Sequence, residues 1–227
     1  MSTEADSAKR TKTVSGKERV RRWGVLCLGL FIAAFGIGLV TDSNLGTAPI
    51  SSLPYVLSLI GGLSFGGYTF LINLLFFAAQ RLILGGEFRA AHWLQLPVIL
   101  VFSAFIDLAR LVTVHIAPES YPLHVLMCVA GSMLIGLGVS IEVVCRLTVV
   151  PGEGLVMAIA YCSKRILGNV KILFDVSLVL MALVLAFFWF GDIAGIREGT
   201  IISALLVGSF VKFFSRWAGR LDAFFTA

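Results

Sequence analysis

Apolar residues gather into eight stretches along the chain, near 23–41, 47–62, 67–84, 93–114, 122–144, 151–165, 170–190 and 199–215. A helix needs roughly 20 such residues to cross the hydrocarbon core of a bilayer. The second and sixth stretches are short, and a helix-breaking phrase introduces each: Leu45-Gly46-Thr47-Ala48-Pro49 and Val150-Pro151-Gly152-Glu153-Gly154. The pattern predicts an all-α, polytopic transmembrane helical bundle.

The two broken stretches fall at matching places in two halves. At an offset of 102 residues Gly36 and Gly38 lie over Gly138 and Ser140, Leu45 over Leu147, Pro49 over Pro151, and Asn73 over Asp175. With four residues inserted in the second half, Ser103 lies over Ser209 and Arg110 over Arg216. Internal repetition of this kind precedes any statement of fold. It divides the chain into a repeat over 23–114 and a second over 115–217.

Composition makes lipid the required solvent. The 227 residues are 58% hydrophobic with mean hydropathy +0.96 and only 14% charged, where a soluble domain carries about a quarter. Seven of the 18 basic residues precede Trp23: Lys9, Arg10, Lys12, Lys17, Arg19, Arg21 and Arg22. Residues 1–22 therefore read as a disordered basic cytoplasmic tail, with 218–227 as a C-terminal cytoplasmic tail. The apolar run after the basic tail is longer than the core of a signal peptide, and no A-x-A cleavage site follows it.

Loop charge decides whether the short stretches span. With both re-entrant, Arg81, Arg89, Lys164, Arg165, Lys171, Lys212, Arg216 and Arg220 join the N-terminal tail on one side, and only Arg110 and Arg197 lie opposite. This six-span arrangement obeys the positive-inside rule better than eight spans do. Each half then has three spanning helices plus one short broken or re-entrant helix, and the odd number inverts the second repeat relative to the first. Inverted repeats with helices broken at corresponding positions point to a secondary carrier whose substrate site lies where the breaks meet.

The cysteines, Cys27, Cys128, Cys145 and Cys162, have no C-x-x-C spacing, and His92, His115 and His124 are scattered. No metal site, cofactor or catalytic residue is expected, and phosphate-loop, nucleophile-elbow and zincin motifs are missing from the sequence. Gly29 to Gly38 and Gly131 to Gly138 suit close helix packing.

The phrases from Leu45 to Ser58, from Val150 to Leu155, and from Gly199 to Gly208 resemble the YczE/YyaS/YitT group of bacterial membrane proteins, over the whole apolar part of the chain. That group often has a proline after the last phrase, where this chain has Ser209. The resemblance implies a bacterial cytoplasmic (inner) membrane protein and names no substrate.

Ionisable residues at membrane depth cost about 2.5–3.5 kcal/mol each on insertion scales, so they are candidates for function. Glu153 follows Pro151 in the first turn of a helix, where the dipole favours an acid; it reads either as a cap or as a coupling acid. The opposite break offers Thr47 and Ser51. Asn73 and Asp175 hold symmetric polar positions, as interhelical glue or as substrate contacts. Glu142 with Arg146, at i and i+4, and Asp107 with Arg110 are expected to form local ion pairs.

The leading expectation is a proton- or ion-coupled carrier for a small anionic or zwitterionic solute, not an enzyme. Its substrate-binding residues are Thr47, Pro49, Ser51, Asn73, Pro151, Gly152, Glu153 and Asp175, with Glu153 and Asp175 coupling. The alternatives are a lipid or headgroup flippase, or a non-transporting membrane scaffold. The partners expected are the solute or lipid and the surrounding membrane lipids, with no nucleic acid; a homo-oligomer is compatible with this.

Overall fold

The computed structural model describes residues 16–116 and 118–218. Eight α-helices follow one another: α1 (Gly16–Asp42), α2 (Pro49–Ile60), α3 (Phe65–Leu84), α4 (Gln95–Thr113), α5 (Tyr121–Cys145), α6 (Pro151–Ser163), α7 (Leu167–Phe190) and α8 (Glu198–Ala218). Two short 3-10 turns, Gly85–Glu87 and Ala90–Leu94, join α3 to α4. No strand occurs among the described residues. Six of the helices are long and apolar enough to cross a membrane, and α2 and α6 are not among them. The expected tail residues 1–15 and 219–227 lie outside the described residues, whereas 16–22 form the start of α1 rather than part of a tail.

Local chemistry sets the boundaries. Pro49 and Pro151 occupy first-turn positions of α2 and α6, where a missing N–H costs nothing. Ser64 caps α3 by accepting the Gly67 N–H at 3.0 Å. Arg146 ends α5 with φ +50°, a left-handed residue that reverses the chain toward Val150.

Helices α1 and α5 form the centre. Over half of each apolar window is buried (56%), against 17% for α7 and α8. They run antiparallel and cross at glycines. A Cβ on Gly36 would stand 2.6 Å from the Gly131 carbonyl oxygen, and one on Gly138 2.5 Å from that of Gly29. Backbones this close tolerate no side chain, which is what small residues at a membrane helix interface permit. Around this pair pack α4 on α1 and α8 on α5, while α3 packs on α6 and α2 on α7.

Many large apolar side chains lie on the outside, Phe188 at 84% and Leu82 at 82% exposed among them. In water this surface would drive association; in lipid it is the solvated face.

The path of the two short helices follows from their contacts. Val150 N donates to Glu142 Oε1 at 2.6 Å, so the chain leaving α5 at Cys145 turns back alongside it. Pro151 and Gly152 then sit beside Asn73, near the middle of α3. Helix α6 finishes by the end of α3, with Cys162 Sγ 3.7 Å from the Ile83 carbonyl oxygen. It thus returns to the end of the bundle it left. Helix α2 does likewise at the opposite end, where Tyr55 lies under the Arg110 guanidinium, 5.6 Å from ring centroid to Cζ.

Candidate functional site

The two breaks meet. A Cβ on Gly152 would lie 2.6 Å from Ile50 Cδ1, so the residues following Pro49 and Pro151 pack on each other. Asn73 holds one of the breaks in place: its Oδ1 accepts the Gly152 N–H at 3.2 Å while its Nδ2 donates to the Thr69 carbonyl at 2.9 Å. A helix start leaves its first N–H groups without partners, and at this depth Asn73 supplies one.

The other expected residues divide into two groups. Thr47 and Ser51 are buried on the α2 side. Thr47 Oγ1 is 2.7 Å from Thr41 Oγ1, and its N–H donates to Thr200 Oγ1 at 3.3 Å, so α8 braces this break. Gly46 makes the approach possible, because its φ of +113° and its contact with Thr200 both exclude a side chain. On the other side, Glu153 and Asp175 share Lys171. Lys171 Nζ is 2.9 Å from Glu153 Oε1 and 3.1 Å from Asp175 Oδ1. The three side chains, 21–33% exposed, carry one positive and two negative charges between α6 and α7. Lys171, which loop charge alone places in a cytoplasmic turn, is the hub of this group.

Two expected local pairs do not form. Arg110 joins Asp42 at 3.1 Å, and Thr113 Oγ1 donates to Asp42 Oδ2 at 2.6 Å. Asp107 instead caps α3, accepting from Ser64 Oγ at 2.6 Å and Gly66 N at 2.7 Å. Glu142 is engaged by Val150 N rather than by Arg146. In each case an unsatisfied backbone N–H at a helix start, or an acid brought near by folding, competes better than a neighbour at i+3 or i+4.

A cleft of about 450 Å³ lies between the α3–α4 connection, the end of α5 and the side of α6. Buried polar groups line it: Gln80 (3% exposed), Gln95 (2%) and Glu142 (4%). Gln80 Oε1 and Gln95 Oε1 are buried with no hydrogen-bond partner. A buried acceptor left unmade costs about 1–3 kcal/mol, so these two glutamines stand out in a wall that Arg146, His92, Thr148 and Tyr161 also line. Both amides close on Gly154, where a Cβ would meet Gln95 Nε2 at 2.9 Å and Gln80 Nε2 at 3.0 Å. Sequence reading passed over these glutamines because each sits alone at the edge of its apolar stretch; the absence of a side chain at Gly154 was the one local signal. At the opposite end the Asp42–Arg110 pair, Tyr55 and the Arg197 contact with the Asn44 carbonyl (3.1 Å) hold the bundle together. No group of His, Cys, Asp and Glu suited to a metal occurs among the described residues.

The profile of the Family of unknown function (DUF6198) matches residues 20–216. The chain is similar to an uncharacterized protein of Haemophilus influenzae, 26% identical over 200 residues that cover 87% of this chain and 84% of the relative. It is also similar to two Bacillus subtilis proteins. The uncharacterized membrane protein YczE is 28% identical over 198 residues (87% and 86% coverage), and the uncharacterized protein YyaS is 31% identical over 189 residues (82% and 89%). The resemblance to YczE and YyaS read from the Leu45, Val150 and Gly199 phrases is thereby borne out. No solved structure matches the chain.

Proposed function

We propose that this chain, which belongs to the DUF6198 family and is a multi-pass membrane protein, is a secondary carrier for a small anionic or zwitterionic solute, coupled to a proton or ion. The observation that carries the reading is the contact between the two breaks, Ile50 on Gly152 with Asn73 capping the latter. Broken helices converging inside a bundle are how carriers bring backbone polar groups to a solute, and lipid would not tolerate such backbone unless it were buried or wetted.

Three further features support it. The α1–α5 crossing is reciprocal: Gly29 meets Gly138 and Gly36 meets Gly131, and these are the same two repeat positions exchanged between halves. A pseudo-two-fold axis between antiparallel helices, hence an inverted repeat, accounts for that exchange. The packing of α3 on α6 and of α2 on α7 repeats the exchange, although the α3–α4 pairing has no counterpart of similar extent between α7 and α8. Second, the cleft lies toward the α3–α4 connection while the Asp42–Arg110 ion pair lies at the opposite end of the bundle, an asymmetry compatible with one state of an alternating-access cycle. The cleft's end of the bundle is the Arg81 and Arg89 end, cytoplasmic by the positive-inside rule in an inner membrane. Third, Lys171, Glu153 and Asp175 together carry one net negative charge, which a proton or monovalent cation would neutralise.

The test uses purified protein in vesicles containing a pH indicator, challenged with a panel of small zwitterions and anions. Solute-dependent proton movement that Glu153→Gln abolishes is the expected result. Folded protein that moves no solute across the panel overturns the reading, and scrambling of labelled lipid in the same vesicles replaces it with the flippase.

A further inference from the structure

We infer that the cavity between α7 and α8 holds one chain of a zwitterionic phospholipid, with the lipid's phosphate on Arg197 and its ammonium on Glu198. The inference rests only on the chain's crossing the membrane, so it stands or falls apart from the carrier reading.

The site exists because α7 and α8 part. Helix α3 packs along α4, but α7 packs on α2 and α6, α8 packs on α5, and the two make no comparable contact with each other. A cavity of about 340 Å³ remains between them, walled by Val179 and Leu183 of α7, Ile196 of the link and Ile201 of α8. Ile193 and Ile201 at its rim are 53% and 67% exposed, on the lipid side of the bundle. Water finds little to hold there: a buried water needs two to four polar partners, and the Thr200 hydroxyl already accepts the Thr47 N–H. An empty space would forfeit the dispersion contacts of its walls. Hydrocarbon from the surrounding bilayer restores them and leaves no polar group unpaired.

The rim chooses the headgroup. Arg197 donates to the Asn44 carbonyl at 3.1 Å, and Glu198 lies beside it at 3.3 Å. Gly195, with φ +81° and a Cβ position 3.0 Å from Tyr55 Cε1, folds the link onto α2, so the rim is built before any lipid arrives. Both charged side chains stay accessible, Arg197 at 49% and Glu198 at 41%. A guanidinium has five N–H donors, and these two bonds leave the others for phosphate oxygens, which it binds strongly as a charge-assisted fork. A lipid with net negative charge would meet Glu198, and Asp192 in the same link, with like sign. Phosphatidylethanolamine instead sets a phosphate against the arginine and an ammonium against the glutamate.

The test titrates purified, delipidated protein with palmitoyl-oleoyl phosphatidylethanolamine and counts bound lipid by native mass spectrometry. Phosphatidylglycerol and diacylglycerol with the same chains are the controls. One phosphatidylethanolamine per chain should bind saturably, and each control should bind about 10-fold or more weakly, the loss of at least one hydrogen bond to a charged group. Val179→Phe, which fills the cavity, should weaken phosphatidylethanolamine by about 10-fold or more without lowering the thermal midpoint. Arg197→Gln should weaken it about 10- to 100-fold. Glu198→Gln keeps size and shape and should remove the preference over phosphatidylglycerol. Equal binding of the three lipids, unchanged affinity in Val179→Phe, or a dimer that buries α7 and α8 and excludes lipid overturns the inference. A bound lipid in a protein that moves no solute keeps the site and sinks the carrier, and solute movement without a bound lipid does the reverse.

Discussion

Asn73 Oδ1 accepts the Gly152 N–H at 3.2 Å, so a side chain from the first half of the chain caps the broken helix of the second. This single bond ties α3 to α6 where the two halves interlock. Asn73→Ala should destabilise the protein by about 0.5–2 kcal/mol, the range for losing a helix cap. Asn73→Asp keeps an acceptor and should cost less. Thermal unfolding in detergent measures both, and an alanine variant as stable as the parent would mean that packing against Ile50 alone holds the break.

The crossing of α1 and α5 should be intolerant of a single methyl group. Gly36→Ala forces a Cβ to within 2.6 Å of the Gly131 oxygen and 2.7 Å of the Ile135 nitrogen, and overpacking of this kind costs about 1–3 kcal/mol. Gly24, in the same helix, has nothing within 4 Å of a Cβ. Gly24→Ala should be neutral or stabilising by up to about 1 kcal/mol, since alanine is the better helix former. Equal effects at the two positions would deny that α1 and α5 approach as closely as described.

The six long helices and the two interrupted ones were legible because length, hydropathy and Pro/Gly punctuation are local properties, and the fold preserves them. Partner choice was not. Arg110 has an acid three residues away in sequence yet pairs with Asp42, which α1 delivers from the other side of the helix contact. Glu142 has Arg146 at the right helical spacing and still gives its oxygen to Val150 N, because a backbone donor at that depth has no water to turn to. Lys171 counts as an ordinary loop charge until α6 brings Glu153 beside it. Gln80 and Gln95, 15 residues apart on two helices, become one feature only through the empty position at Gly154.

Topology is open to a direct check on a background in which Cys162, the exposed native thiol, is replaced by serine. Glu87 and Gly168 lie in exposed connections, after α3 and at the start of α7. Cysteines at 87 and 168 should both resist a membrane-impermeant thiol reagent added to intact cells, and both should react once the cells are opened. Labelling of 87 from outside would restore eight spans and remove the re-entrant path of α2.

Glu153 should govern function more than folding. Its carboxylate shares Lys171 with Asp175, so Glu153→Gln leaves Lys171 one acid and converts a group of net charge −1 into a neutral one. Glu153 and Lys171 are each about a third exposed, which discounts their pair to at most about 1 kcal/mol of stability. Normal amounts of folded, membrane-inserted protein are therefore expected. The coupling reading requires the extra negative charge, because that charge is what a proton or cation neutralises as the carrier changes state. Solute movement by Glu153→Gln should consequently lose its dependence on pH. The double variant Glu153→Gln with Asp175→Asn strips Lys171 of both acids, so its yield should fall below that of either single variant. Adding Lys171→Met should restore the yield without restoring pH dependence. If Glu153→Gln transports with an unchanged pH profile, Glu153 serves only to hold Lys171, and the same measurement on Asp175→Asn decides whether Asp175 carries the coupling.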